Sequence, residues 1–350
     1  MPDEVPALSD REQRAISSRA LAWIGLSIAA VLCLVAIVSY RMLVHYERRA
    51  ALHIPAGVGF AARIDVEQVV LFEPVRKHLL PLINELPLGP PAGGEAGQRP
   101  DRLTRLRERA GLNLALDLRE VMFAEEGRSG QWVLVLGGLF DQRGVVAAIA
   151  SVLHEEGALD ATQTEGELRF ERWGVTLGQA DDGCLILASS SSMLRRALPV
   201  TERFAELGLP REGAAAAALT APHARSWLSG DPTFAFDEPA VRRIVATLGL
   251  GEALQLELLI EVERAAELRR IRAEMLRWRE TYVSALPFIP QADWGGERAL
   301  LARARVSEPS ETLMIIASTW ERAELDRAAQ SLAAWLERRF LSPSPGAPRR

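Results

Sequence analysis

An uncharged stretch near the N-terminus constrains this chain more than any other feature. Between Arg19 and Arg41 lie the 21 residues 20–40, which carry no charge and are rich in Leu, Ile, Val and Ala. A helix needs about 20 apolar residues to cross the roughly 30 Å hydrocarbon core of a bilayer. The stretch therefore predicts one transmembrane helix, anchored in the membrane by Trp23, Ile24, Leu26, Val31, Leu34, Ile37 and Tyr40.

Three other interpretations compete with an uncleaved anchor. A buried core helix would be shorter or would carry a polar stripe, and this stretch has none. A cleaved signal peptide has a shorter apolar core and small residues before the cut, whereas this segment ends Val38-Ser39-Tyr40-Arg41. A lipoprotein signal places a small residue before its cysteine, but Leu32 precedes Cys33. The sequence favours the anchor.

The flanking charges do not orient this anchor. Three arginines lie on each side of it: Arg11, Arg14 and Arg19, then Arg41, Arg48 and Arg49. The positive-inside rule therefore gives a tie, and large domains translocate largely regardless of charge. From the usual behaviour of chains with one early anchor, we expect an extracytoplasmic, periplasmic body held at a bacterial inner membrane.

Composition narrows the class of the remaining chain of about 290 residues, which suffices for one large or two ordinary domains. The net charge of −5 argues against a nucleic-acid partner. Lys77 is the single lysine among 41 basic residues, a bias typical of GC-rich bacterial genomes. The two cysteines, Cys33 and Cys184, cannot form a disulfide framework, and Cys184 lies in an apolar strand pattern that predicts a buried, inert thiol.

The predicted fold class is α+β, with one transmembrane helix followed by two similar modules that contain mainly antiparallel sheets. Three internal matches suggest the duplication: Gly111-Leu112 with Gly249-Leu250 (with Leu116 and Leu118 matching Leu254 and Leu256), 185–190 with 314–319, and 57–65 with 213–219. Chance similarity of two α+β segments is the alternative. The predicted organisation is a tail 1–19, the transmembrane helix 20–40, a juxtamembrane stalk 41–56, module 1 at 57–210, module 2 at 211–341 and a disordered tail 342–350.

One amphipathic helix in the second half offers a candidate partner surface. Its apolar residues recur at spacings of 3, 4, 3 and 4, the a/d seam of about two heptads: Leu268, Ile271, Met275, Trp278 and Tyr282. A seam this short is typical of a helix that packs on its own sheet, and a coiled coil with a partner or a second copy is the alternative.

The sequence contains no strong catalytic motif. Gly-x-Ser-x-Gly, P-loop, Cys-x-x-Cys and His-Glu-x-x-His patterns are all missing, and the five histidines show no ligand spacing, so we predict no catalytic residue, no metal site and no cofactor. The serines 189–192 are interpreted as a helix N-cap. The acidic pairs 125–126, 155–156 and 181–182 are interpreted as solvated turns or helix ends.

The strand 57–65, the Gly111-Leu112-Asn113 turn and Gly138-Leu139-Phe140-Asp141 together resemble membrane-anchored exported proteins of GC-rich bacteria. Those proteins look like duplicated α+β modules without an assigned activity. The resemblance covers most of residues 57–340, implies an envelope location and carries over no catalytic residue.

Three functions follow as hypotheses. The first is a non-catalytic envelope protein that binds a protein partner or scaffolds an assembly, because a large body follows an anchor without a catalytic constellation. The second is a carrier of lipid or another apolar ligand in a groove between the two halves. The third is an enzyme whose polar groups converge from distant segments.

Overall fold

The computed structural model describes residues 46–85, 105, 108–109, 117–127, 129–140, 144–155, 161–164, 166–200, 207–221, 241–285 and 303–337. By its internal contacts the chain divides into two units, Met1–Glu47 and Arg48–Arg350. Within the described residues, every strand and helix belongs to the second unit.

The strands of the described residues form one antiparallel sheet, in the order β11-β12-β10-β9-β8-β1-β2-β3-β7-β6-β5-β4. Their bounds are β1 Phe60–Asp65, β2 Leu118–Glu125, β3 Trp132–Gly138, β4 Ala161–Thr164, β5 Glu167–Phe170, β6 Val175–Gln179, β7 Leu185–Ala188, β8 Ala215–Thr220, β9 Val241–Leu250, β10 Ala253–Val262, β11 Arg305–Ser310 and β12 Leu313–Glu321. Near the centre of the sheet, the pair β1–β8 joins residues about 150 positions apart and makes the two halves continuous.

Helices follow several of these strands. Their bounds are a 3-10 turn Ala50–His53, α1 Val66–Leu71, a π-helical turn Val75–Leu79, α2 Leu80–Glu85, α3 Val145–Glu155, α4 Ser191–Ala197, α5 Ala265–Ala285 and α6 Arg322–Leu336. Side chains cap the N-termini of three of these helices. Asp65 accepts the Gln68 N–H at α1, Ser190 accepts the Met193 N–H at α4, and Glu321 forms a capping box with Glu324 at α6.

The predicted fold class is wrong. We expected one transmembrane helix followed by two α+β modules, each with its own sheet, but β1 pairs with β8 and the strands of both halves form one sheet. The two edges that separate modules would leave unpaired are instead hydrogen-bonded to each other. This arrangement removes an exposed edge from each half.

No helix within the described ranges is both long enough and apolar enough to cross a membrane. The longest, α5, has 21 residues but carries arginine and glutamate along most of its length. The predicted transmembrane helix is thus absent from the fold that the structure shows. The segment 20–40, with Trp23, Ile24, Leu26, Val31, Leu34, Ile37 and Tyr40, lies outside the described residues, as do the predicted tails 1–19 and 342–350.

The two faces of the sheet carry separate clusters of buried side chains. Directly paired residues lie on the same face, so the register assigns each strand residue to the face of Met122 or to that of its neighbour Phe123. On the Met122 face, Met122, Val135 and Ile186 pack against the 50–58 segment and α4. On the Phe123 face, α3 covers Leu177 and Leu185 of one half, and α5 covers Ile260 and Met314 of the other.

Candidate functional site: the central strip of the Phe123 face

The predicted partner seam lies on α5, and part of it faces the protein's own sheet. Leu268 and Ile271 are 2% and 3% exposed, and Met275 packs against the same buried cluster as Ile260 and Met314. The backbone of Trp278 and Tyr282 belongs to α5, but their side chains lie outside the described residues. A partner contact through those two residues stays a prediction.

The serine run acts as predicted. Ser190 is the N-cap of α4, and its hydroxyl accepts the Met193 N–H at 3.1 Å. The hydroxyl of Ser189 accepts the Trp132 N–H at 2.9 Å, and Ser191 bonds Thr176 at 3.2 Å. These hydroxyls hold strand and helix ends together.

Between the regions covered by α3 and α5, the Phe123 face presents a strip of apolar side chains that are only half buried. It belongs to β1, β2 and β3, and we call it the central strip: Phe60, Ala62, Ile64, Val121, Phe123 and Leu134. Ile64 is the most open member, at 44% exposed. A strip that spans Phe60 to Ile64 is about 13 Å long at the rise of a strand.

Aromatic rings form one end of this strip. The Phe60 and Phe123 rings lie 5.9 Å apart, and Phe123 stacks on Trp132 at 6.1 Å. The first pair is tilted and the second is stacked, and ring contacts of this kind stabilise one another by about 0.5 to 1.5 kcal/mol. The neighbouring β8 adds Ala217 beside Ala62 and Ala215 beside Ile64, both half buried. Because alanine side chains are small, they leave a shallow depression in the sheet surface at that position.

A guanidinium lies near the other end of the strip. Arg119 is two residues before Val121, next to a register shift in the β2–β3 pairing. Its Nη1 lies 3.8 Å from a Glu67 carboxylate oxygen, its side chain is 21% exposed, and its Nε has no hydrogen-bond partner. Arg119 thus brings a partly exposed guanidinium to the part of β2 next to Val121, the residue that pairs with Ile64, while its Nε is buried.

The Met122 face carries a group of buried ionisable side chains that no sequence motif had marked. Glu120 is 1% exposed and accepts the backbone N–H groups of Arg49 and Ala50 at 2.7 and 2.8 Å. Arg63 is 3% exposed and donates from Nη2 to the carbonyls of Glu212 and Gly213 at 2.7 and 2.9 Å. Both groups bond to backbone: Glu120 fixes the segment that begins at Arg48 to the sheet, and Arg63 binds the residues just before β8.

Burial sets the electrostatics of this group. Desolvation lowers the pKa of Arg63 from its ordinary value, the nearby Arg48 lowers it further, and Asp65 and Glu120 act in the opposite direction. Arg48 in turn pairs with Asp65. The strand pattern contained a signal for this group, because Arg63 and Asp65 follow Ala61 at every second position and therefore share its buried side of β1.

Comparisons with known proteins give little. No protein family model matches the chain, and no curated protein matches it. Among solved structures, crystal form IV of TP0453 is similar with a TM-score of 0.42 and 12% identity, covering 83% of this chain and 96% of that one. Crystal form III of TP0453 gives a TM-score of 0.42 and 12% identity, covering 82% and 98%.

Proposed function

We propose that this protein is a non-catalytic carrier that binds an acyl chain along the central strip. The observation that carries the proposal is the row of half-buried apolar side chains on β1, β2 and β3, flanked on both sides by helix-covered clusters. When a ligand displaces water from a half-buried apolar surface of this kind, the free energy of the system falls. Each methylene that leaves water contributes about 0.8 kcal/mol.

The polar end of the ligand follows from Arg119. A carboxylate or phosphate head at the Ile64 end would lie near the guanidinium of Arg119, whose side chain is 21% exposed. A hydrogen bond between two charged groups contributes about 1.5 to 3 kcal/mol. The head group of the ligand should therefore contribute to the binding free energy as well as its acyl chain. The ligand class is therefore a long-chain acid or an anionic lipid.

The experiment is a fluorescence titration with cis-parinaric acid, followed by displacement with saturated fatty acids of increasing length. We expect affinity to rise roughly fourfold per methylene, the factor that about 0.8 kcal/mol gives, until the chain exceeds the strip. Ile64→Arg should weaken binding at least about tenfold because it places a charge on the apolar surface. Val200→Arg is the matched control, since Val200 is 56% exposed and lies away from the strip.

A second comparison tests the head group. Arg119→Met should weaken binding of the acid by about 10-fold to 100-fold and leave its methyl ester unaffected. If neither cis-parinaric acid nor the saturated fatty acids bind to the wild-type protein, the proposal is refuted. Equal losses in Ile64→Arg and Val200→Arg would also refute it, because the surface would then not be the site.

The other hypotheses stay predictions. A scaffold that binds a protein partner would use the same strip for an apolar segment of that partner, and it would show binding without a dependence on acyl chain length. An extracytoplasmic, envelope location likewise stays a prediction.

A further inference from the structure

Three side chains of different chemistry meet on the Met122 side of the molecule, away from the central strip. His53 belongs to the 3-10 turn Ala50–His53, and Asp182 and Cys184 belong to the turn between β6 and β7. One ligand atom from each lies within 4.8 Å of the others, which makes this the only such trio in the described part of the chain. His53 is 0% exposed, Cys184 is 1% exposed and the Asp182 side chain is 16% exposed.

The hydrogens of His53 can be counted. Its Nδ1 lies 2.8 Å from the carbonyl oxygen of Ala197, which can only accept, so Nδ1 carries a hydrogen. Its Nε2 lies 3.0 Å from Oδ2 of Asp182, and an ionised carboxylate also only accepts. In a neutral imidazole the Nε2 lone pair would face a carboxylate lone pair inside the protein. A proton, carried by the ring or by the carboxyl group, or a metal ion must therefore lie between them.

The surroundings favour a metal ion. An imidazole that ligates through Nε2 ordinarily donates its Nδ1–H to a backbone carbonyl, the bond that His53 makes. The other carboxylate oxygen of Asp182 accepts the Cys184 N–H at 3.1 Å, which fixes the direction of Oδ2. Two ligand atoms that each lie about 2 Å from one ion are about 3 Å apart, which matches the Nε2–Oδ2 distance. The Cys184 side chain also hydrogen-bonds to Asp182, so the third donor atom already lies against the pair.

We infer that His53, Asp182 and Cys184 form a site for a divalent cation of the Zn²⁺ class. Sulfur, imidazole and carboxylate are the donors that Zn²⁺ accepts, whereas Ca²⁺ and Mg²⁺ require oxygen. Cys184 would bind as the thiolate, with its sulfur moving by up to about 1 Å to a bonding distance of roughly 2.3 Å. The site is structural: it fastens the turn Ala50–His53, which lies early in the folded body, to the β6–β7 hairpin.

Gly183 makes the short ligand spacing achievable. Its φ of +93° lies in the left-handed region, which lets the chain reverse between Asp182 and Cys184. Arg49 donates to the backbone carbonyl of Asp182 at 3.4 Å. The ligands lie 129 residues apart in sequence, which is why ligand spacing along the chain did not reveal them.

The test uses the full chain, stripped with a chelator and titrated with Co²⁺ as a spectroscopic substitute for Zn²⁺. Wild-type protein should bind a single equivalent and develop the near-ultraviolet band of sulfur-to-cobalt charge transfer. Asp182→Asn should weaken binding at least about tenfold, the lower limit for loss of even an outer-shell partner. Cys184→Ser should lose the charge-transfer band. Asp181→Asn, the exposed neighbour, and Cys33→Ser, the other cysteine, should both behave as wild type.

A thermal melt keeps the test decisive where a variant is less stable. Zn²⁺ should raise the Tm of wild-type protein in a concentration-dependent way and leave the Tm of Asp182→Asn unchanged, because only a cation bound by the folded state stabilises it. No Co²⁺ uptake by the wild type, or an unchanged band in Cys184→Ser, overturns the inference. In the first case the cation between His53 and Asp182 is a proton.

Discussion

Replacing Glu120 should reveal how strongly the segment from Arg48 is fixed to the sheet. One carboxylate oxygen of this buried side chain accepts two backbone N–H groups, from Arg49 and Ala50. A hydrogen bond to a charged group contributes about 1.5 to 3 kcal/mol, so Glu120→Ala should lower the free energy of unfolding by about 3 to 6 kcal/mol. Domains of ordinary stability have about 5 to 15 kcal/mol in total, so this variant should be close to unfolding.

The assay is urea denaturation followed by tryptophan fluorescence, with hydrogen exchange at the Arg49 and Ala50 amides. Glu120→Gln keeps an acceptor without the charge, and since charge-assisted bonds are about twice as strong as neutral ones, it should lose about half as much. Glu257→Ala, an exposed glutamate on the same face of the sheet, should stay within about 0.5 kcal/mol of the wild type. If Glu120→Ala matches Glu257→Ala, the argument from these two hydrogen bonds is wrong.

Three further predictions concern stability. Ser190→Ala removes the N-cap of α4 and should cost about 1 kcal/mol in urea denaturation. Gly138→Ala should cost about 1 to 3 kcal/mol in the same assay, because its Cβ would lie 2.1 Å from the Asp117 carbonyl oxygen, whereas Gly251→Ala meets nothing within 4 Å and should be neutral. Burial raises the pKa of Glu126, but hydrogen bonds from Arg196 and Ser129 outweigh it and hold that pKa below its ordinary value of 4.5. The Glu126–Arg196 contact should therefore stabilise the fold above the unfolded pKa and lose its effect as pH falls through the lower folded pKa, and Arg196→Met should remove that part of the pH dependence.

Local elements could be read from the sequence with fair accuracy. The apolar pattern of 121–124 predicts a strand, and this segment lies inside β2. The turn dipeptide Asp182-Gly183 predicts a hairpin, which is the β6–β7 pair. The alternation of apolar residues and the turn dipeptides are local patterns. They can therefore be recognised in one segment without knowing which strand it pairs with. The pattern from Val69 to Leu86 predicts a helix, with Pro74 either in its first turn or breaking it. In the structure α1 ends at the extended residue Phe72, and Pro74 caps the start of the π-helical turn.

The arrangement of the strands could not be read in the same way. Segments 57–65 and 213–219 look alike, and the structure shows that they give β1 and β8, which pair with each other. Segments 185–190 and 314–319 fall on β7 and β12, which hold equivalent places on the two sides of this pair. The match of Leu118 with Leu256, however, joins β2 to β10, which do not hold equivalent places. Similar sequence patterns identify similar strands, but they do not show which strands pair with each other in the sheet.

The candidate site was hidden for a related reason. Phe60, Phe123 and Leu134 read as ordinary core positions of three strands, and only the register places them side by side on one face. Their half-buried state depends on where the helices lie, because α3 and α5 cover the regions on either side. A single sequence does not contain that information in local form.

Photolabelling with a fatty acid that carries a diazirine near the end of its chain tests the central claim most directly. After irradiation and proteolysis, mass spectrometry should find the label on peptides that contain Phe60 to Ile64 or Val121 to Leu134, and excess unlabelled fatty acid should suppress it. Labelling confined to peptides around Trp173 or Val200, which are exposed elsewhere on the molecule, would contradict the account.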